Sequence, residues 1–106
     1  ISMIAPYDCI VDTFAFRSEI AQSGNVRFEI HESEDGTEVP GTIIFRQNAT
    51  VSLADDINYN LALDSPSIGT FSPTLSKGNI YAFSFTTPSA PYDINFSMVF
   101  KWDVLS

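Results

Sequence analysis

Val26-Arg27-Phe28-Glu29-Ile30-His31 alternates apolar and polar side chains without a break. Successive side chains of an extended chain point to opposite faces. This stretch therefore gathers Val26, Phe28 and Ile30 on one side and Arg27, Glu29 and His31 on the other, as a half-buried antiparallel strand does. The same period of two recurs up and down the chain in short blocks, separated by Gly, Pro, Asn, Asp and Ser.

Upstream, residues 9–16 read as a strand with Val11 on one face and Phe14 and Phe16 on the other, which predicts a bulge or a change of face near Asp12. Residues 18–22 are the only stretch with the makings of a helical turn. Downstream, residues 32–41 collect Asp-Gly, Pro-Gly and three glutamates, the composition of a turn or exposed loop. A short apolar run at 42–45 and a second brief strand marked by Val51 and Leu53 follow. Ile57, Tyr59, Leu61 and Leu63 then alternate with Asn58, Asn60 and Ala62, predicting a strand with one polar face.

Residues 64–76 carry two prolines, a glycine and several serines and read as loop. Ser76-Lys77-Gly78-Asn79 supplies a tight turn into residues 80–85, where Tyr81, Phe83 and Phe85 share a face opposite Ala82 and Ser84. A Pro-rich hairpin connection at 88–91 leads to the last strand, with Ile94, Phe96, Met98, Phe100 and Trp102 on one face and Asn95, Ser97, Val99 and Lys101 on the other. Seven or eight short strands and no helical period predict an all-β chain, an antiparallel β-sandwich of jelly-roll-like kind, filling residues 1–106 as a single domain.

Composition bounds the function. With 44% apolar and 17% charged residues the chain has the balance of a packed globular domain rather than a disordered one. Thirteen acidic residues against five basic ones give a formal net charge of −8, which repels phosphate backbones and excludes nucleic acid as an expected partner. No apolar run approaches the roughly 20 residues needed to span a bilayer, so a soluble domain with no membrane insertion is expected. Ile1, in place of an initiator Met, predicts a piece of a longer protein. The single Cys9 has no internal partner for a disulfide and, beside Ile10 and Val11, reads as a small buried hydrophobe.

Catalytic chemistry is hard to assemble from this sequence. A Ser or Cys nucleophile needs a base, and the one imidazole, His31, falls on the polar face of a strand, where an exposed histidine is the better interpretation. One His and one Cys cannot make a nitrogen-and-sulfur zinc site within one chain, and no Gly-rich phosphate loop is present. The acidic stretch 32–38 has the carboxylates and the glycine that calcium prefers, but not the spacing of a calcium-binding loop, and a solvated turn fits it better. Asp55-Asp56 reads as a turn pair. Paired carboxylates of a glycoside hydrolase would need a long cleft, for which 106 residues leave little material. Neither a cofactor nor a metal is expected.

Nine Phe, four Tyr and one Trp are the other outstanding feature, and most fall at inward positions. Tyr7, Phe71 and Tyr92 lie beside prolines in predicted loops and are the candidate binding residues, for a partner or a sugar ring. Asn48-Ala49-Thr50 and Asn95-Phe96-Ser97 match the glycosylation pattern, the second inside a strand, and both read as chance matches.

Four segments together carry a resemblance: Ile1-Ser2-Met3-Ile4-Ala5-Pro6-Tyr7-Asp8, Ser33-Glu34-Asp35-Gly36-Thr37-Glu38-Val39-Pro40, Leu75-Ser76-Lys77-Gly78-Asn79-Ile80, and the final strand through Asp103. In this order they resemble a terminal β-domain of structural proteins of tailed phages, especially marine phages of cyanobacteria. Cys9 departs from that pattern, which has a glycine after the aspartate, and leaves the form of the first turn open. The resemblance implies a virion component, a tail fibre, spike or capsid decoration. It also implies a homotrimer that contacts other virion proteins and a host-surface glycan or protein, and no catalytic residues. The surplus of apolar faces at 81–85, 94–102 and in the patch Ile43, Phe45 and Ile68 gives an independent reason to expect self-association, whereas a monomer would have to fit every aromatic into one core. A carbohydrate-binding β-sandwich module of a secreted bacterial protein is the alternative function, and an enzyme a distant third.

All of these expectations stand on the β fold. Far-ultraviolet circular dichroism should lack the paired helical minima. A helix content above about a fifth of the chain would contradict the β assignment, since ordinary domains average roughly a third.

Overall fold

A computed structural model describes residues 2–18, 22–33, 41–70, 73–87 and 95–101, and none of these is helical. Eight strands follow in order: β1 (Ser2–Ile4), β2 (Cys9–Arg17), β3 (Gln22–Ser33), β4 (Thr42–Leu53), β5 (Tyr59–Leu61), β6 (Thr74–Leu75), β7 (Ile80–Thr86) and β8 (Asn95–Lys101). One antiparallel sheet has the order β1-β7-β3-β4. In the other, β2 is central. β8 runs along one side of it, and β5 and β6 share the opposite side, pairing with Phe14–Phe16 and with Cys9 and Ile10 respectively. Every connection except β3–β4 and β5–β6 passes from one sheet to the other, the weave of an antiparallel β-sandwich.

The two inner faces meet through aromatic rings. Phe14 on β2 stacks on Phe28 of β3 with ring centroids 4.3 Å apart, and Phe16 lies 4.4 Å from Phe85 of β7. Phe83 of β7 reaches Phe100 of β8 at 6.2 Å. Val11, Val26, Ile30, Phe45, Leu75 and Tyr81 complete a core drawn from both sheets. The alternation at 26–31 is realised as expected: Val26, Phe28 and Ile30 are buried, and Arg27 is exposed.

Near Asp12 the register of β2 against β8 slips between Val11 and Thr13. This bulge absorbs one residue and lets Cys9 and Val11 on one side of it, and Phe14 and Phe16 on the other, all face inward. The extra residue is held at the surface, its carboxylate accepting from the Thr13 hydroxyl at 3.0 Å and lying 3.2 Å from Lys101 Nζ.

Several sequence expectations need correction. Residues 42–53 form one long strand rather than two short ones, because the polar middle pairs residue by residue with β3. Its inward polar residue, Gln47, is buried but satisfied: Oε1 accepts from the Ser65 backbone N–H at 3.0 Å, and Nε2 donates to the Asn48 carbonyl at 3.0 Å. The strand expected over 57–63 is confined to Tyr59–Leu61. Asp56 adopts a positive φ of 55° just before it, and Ile57 is exposed. Within the expected loop at 64–76, Thr74–Leu75 pairs with β2, and Ile68 bridges to Arg46. β7 and β8 belong to different sheets, so the connection through 88–91, itself outside the described residues, cannot close a hairpin. Residues 19–21 of the possible helical turn also lie outside the described residues, and Gln22 opens β3. Phe45, Tyr81 and Phe83 are core residues, so they offer no surplus face to a neighbour. β1 was not foreseen: it is three residues long and is defined by its pairing with β7.

Loop 64–70 lies along β4, with Arg46 N donating to the Ile68 carbonyl at 3.1 Å and Ser67 N to the Arg46 carbonyl at 2.8 Å. It covers a strand edge that would otherwise present unpaired backbone groups. β4 also carries a bulge, since Ile30 faces Phe45 while His31 faces Ile43, leaving Ile44 as the extra residue. Gly69, at φ +85°, packs against that bulge so closely that a Cβ would run into the Ile44 carbonyl oxygen. Gly78 has nearly the same φ, +88°, in the 76–79 turn, yet a Cβ there meets nothing within 4 Å. Gly78→Ala should therefore cost only the left-handed strain, about 1–2 kcal/mol. Gly69→Ala should cost about 1–3 kcal/mol more through the clash. Urea unfolding of the two variants checks this, and equal midpoints would contradict the close approach of loop and bulge.

Candidate functional site

Of the three aromatic binding candidates, Phe71 and Tyr92 lie outside the described residues. Tyr7 sits at the corner between β1 and β2 and is 57% exposed. With Met3, Pro6, Cys9 and Phe100 it lines an apolar pocket of about 60 Å³. That is far below the roughly 300–1,000 Å³ of ordinary ligand pockets. Cys9 is buried, and burial, followed by the charge of Asp8, pushes its thiol pKa up. It stays a protonated thiol at neutral pH, the unreactive form.

His31 lies on the outer face of the first sheet, with Nε2 3.3 Å from Ser84 Oγ. The register explains the meeting: His31 pairs with Ala82 on β7, two residues from Ser84 and on the same face of the strand. A serine beside an imidazole is half of a nucleophilic pair, and its chemistry needs a third group to orient the base. A carboxylate described on that face, Glu29, is instead bound to Arg46, with Oε2 2.6 Å from Nη2 and 2.7 Å from Nε. Among the described residues no group of three His, Cys, Asp or Glu is arranged to hold a metal ion. The acidic stretch is described only at Glu32 and Ser33; residues 34–38 lie outside the described residues.

A polar feature among the described residues is a shallow trough of about 550 Å³ on the outer face of β3 and β4, lined by Asn25, Arg27, Asn48, Ala49 and Thr50. Direct cross-strand pairing sets two of its contacts. Arg27 faces Asn48, and Arg27 Nε donates to Asn48 Oδ1 at 3.0 Å. Asn25 faces Thr50, and the Thr50 hydroxyl donates to Asn25 Oδ1 at 3.0 Å. Asn48 Nδ2 reaches the Ser67 hydroxyl of the edge-covering loop at 3.3 Å. The period-two pattern already put Arg27 outward. The trough itself is not legible in the sequence, because the polar run 46–50 carries no apolar alternation and only the β3–β4 register supplies the partners of Asn25 and Arg27.

At the far end of the same sheet, Tyr81 is fully buried. Its hydroxyl donates to Glu32 Oε2 at 2.7 Å and accepts from the Ser76 backbone N–H at 2.6 Å, tying β3, β7 and the 76–79 turn together. Burial first, and the bond to Glu32 next, push the Tyr81 pKa up from its usual value. A pKa higher in the folded state means that the folded chain holds this proton more tightly than the unfolded one. The stabilisation is therefore complete below about pH 10 and is lost as pH rises through the raised folded value. Tyr81→Phe should cost about 1–3 kcal/mol at neutral pH, because it strands the Glu32 carboxylate and the Ser76 N–H. It should also flatten the alkaline fall in stability. Denaturant unfolding followed from pH 8 upward checks both, and parallel alkaline slopes in the two proteins would refute the assignment. In comparisons with family models, curated proteins and solved structures, nothing matches the chain, so the resemblance to phage structural proteins rests on its sequence segments alone.

Proposed function

We propose that this chain is a non-catalytic structural and receptor-binding β-sandwich of a tailed-phage particle, a domain of a tail fibre, spike or capsid decoration displayed on the virion surface as a homotrimer. The observation that carries the proposal is where the chemistry sits. Arg27, Asn48, Asn25 and Thr50 line an open trough on a sheet face rather than an enclosed cleft, a geometry suited to meeting another surface. The sequence resemblance supplies the virion context.

Trimerisation needs apolar surface, and Ile4, Tyr7, Ile57 and Val99 supply it, each more than half exposed. Ile4 and Tyr7 flank the β1–β2 corner, and that corner touches the end of β8 at Phe100, next to Val99. A carbohydrate-binding module of a secreted bacterial protein is the second reading, favoured by the same polar trough, and it would work as a monomer. Oligomeric state separates the two. Multi-angle light scattering of the purified chain should give about three times its 11.7 kDa mass. A mass near 11.7 kDa would remove the trimeric virion reading and leave the module.

A further inference from the structure

We propose that the trough between β3 and β4 is a binding site for a carboxylated sugar, with Arg27 taking the carboxylate and Asn25, Asn48 and Thr50 the ring hydroxyls. This rests on the receptor-binding reading and gives it a ligand class.

Charge is the first ground. The chain carries a net −8, yet the outer face of β3 and β4 holds two of its five cations, Arg27 and Arg46. Glu29 neutralises Arg46 through a bond of 2.6 Å and so is not spent on Arg27. Among the described residues, no carboxylate pairs with Arg27. On so acidic a protein, a guanidinium in the lining of a trough, with no counter-ion among the described residues, is a local attractor for one anion.

Geometry is the second. Arg27 Nε is spent on Asn48 Oδ1 at 3.0 Å, which fixes the plane of the guanidinium and leaves its two terminal NH₂ groups free to grip a carboxylate with two parallel bonds. Around it stand neutral groups: the Asn25 amide nitrogen, the Asn48 amide and the Thr50 hydroxyl, linked through the 3.0 Å bond from Thr50 to Asn25. Amides and hydroxyls both donate and accept, which is what sugar hydroxyls demand. A bare phosphate or sulfate would favour a second free cation, and Arg46 is already paired. The trough's volume of about 550 Å³ has room for a sugar ring. One shallow site of this kind binds weakly, and presentation in threes would raise the avidity.

Titration calorimetry of the full chain with trigalacturonic acid and, separately, 3′-sialyllactose tests the proposal. The ligand would be used at about 10 mM, above the Kd of about 1 mM typical of a weak single site. Heat from either sugar is the expected result, and which one responds tells a uronate from a sialate. Arg27→Gln should weaken binding at least about tenfold, the loss of a charge-assisted bidentate pair, and Arg27→Lys should restore only part of it. Thr50→Val, which leaves the guanidinium in place, should weaken the sugar without abolishing it. Arg17→Gln, on the other sheet where Arg17 Nε bonds Asn58, should change nothing. The proposal falls if neither acid binds, if the methyl ester of trigalacturonic acid binds as well as the acid, if acetate binds as tightly as the sugars, or if Arg27→Gln, still folded by circular dichroism, binds unchanged. A failed titration with a trimeric mass would discard the sugar site and keep the virion reading. A monomeric mass with intact binding would do the reverse.

Discussion

The ring contact between Phe14 and Phe28 is the constraint on which the rest depends. Each ring belongs to a strand paired on both sides. β2 lies between β8 and the β5/β6 flank, and β3 between β4 and β7. Their 4.3 Å stacking at the centre fixes how far apart the sheets stand and which residue of one faces which residue of the other. Phe85, Phe83, Phe45, Phe16 and Phe100 then pack around that pair. Aromatic pairs in offset or tilted arrangements contribute about 0.5–1.5 kcal/mol beyond the area they bury, so a chain of them gives direction to a core that the hydrophobic effect alone would leave unspecific.

Half-buried strands were legible in the sequence because burial on one face and solvent on the other imprint a period of two. Val26 to His31 shows this most cleanly, and the parity change at Asp12 located a bulge before any register was known. What escaped was structure whose pattern is not apolar. Arg46 to Thr50 is polar on both faces, since Gln47 points inward and Asn48 outward. The inward amide is tolerated only because Ser65 and Asn48 supply its hydrogen-bond partners, a tertiary circumstance no window of sequence contains. The two short strands β1 and β6 exist by virtue of their partners β7 and β2. Between 85 and 95 the sequence shows where the chain turns, not which sheet it turns into.

The same limit governed the candidate site. Aromatic residues beside prolines attract notice, and of the three singled out the described structure holds Tyr7, over a pocket too small for a ring. Arg27, Asn25, Asn48 and Thr50 are individually unremarkable in sequence and become a site only through the β3–β4 register. A slip of one residue in that register would turn Phe45 and Gln47 outward and the amides inward. The buried Gln47, the bulge at Ile44 and the close approach of Gly69 all act against such a slip. Features that look like local irregularities thus hold the polar face in place.

The proposed binding face is coupled to the fold along one short path. Arg27 is aimed by Asn48, and Asn48 is held in turn by Ser67 of the loop along the β4 edge. That loop is anchored by Ser65 to Gln47 and by Ile68 to Arg46, whose guanidinium neutralises Glu29 beside Arg27. Each bond in this sequence is worth only about 1 kcal/mol by itself. Acting together they remove the rotamer freedom that an exposed arginine would otherwise have to lose when it meets a ligand. The edge-covering loop consequently serves two ends. It blocks sheet-to-sheet association along β4, and it orients the cation that distinguishes this face from the rest of an acidic surface.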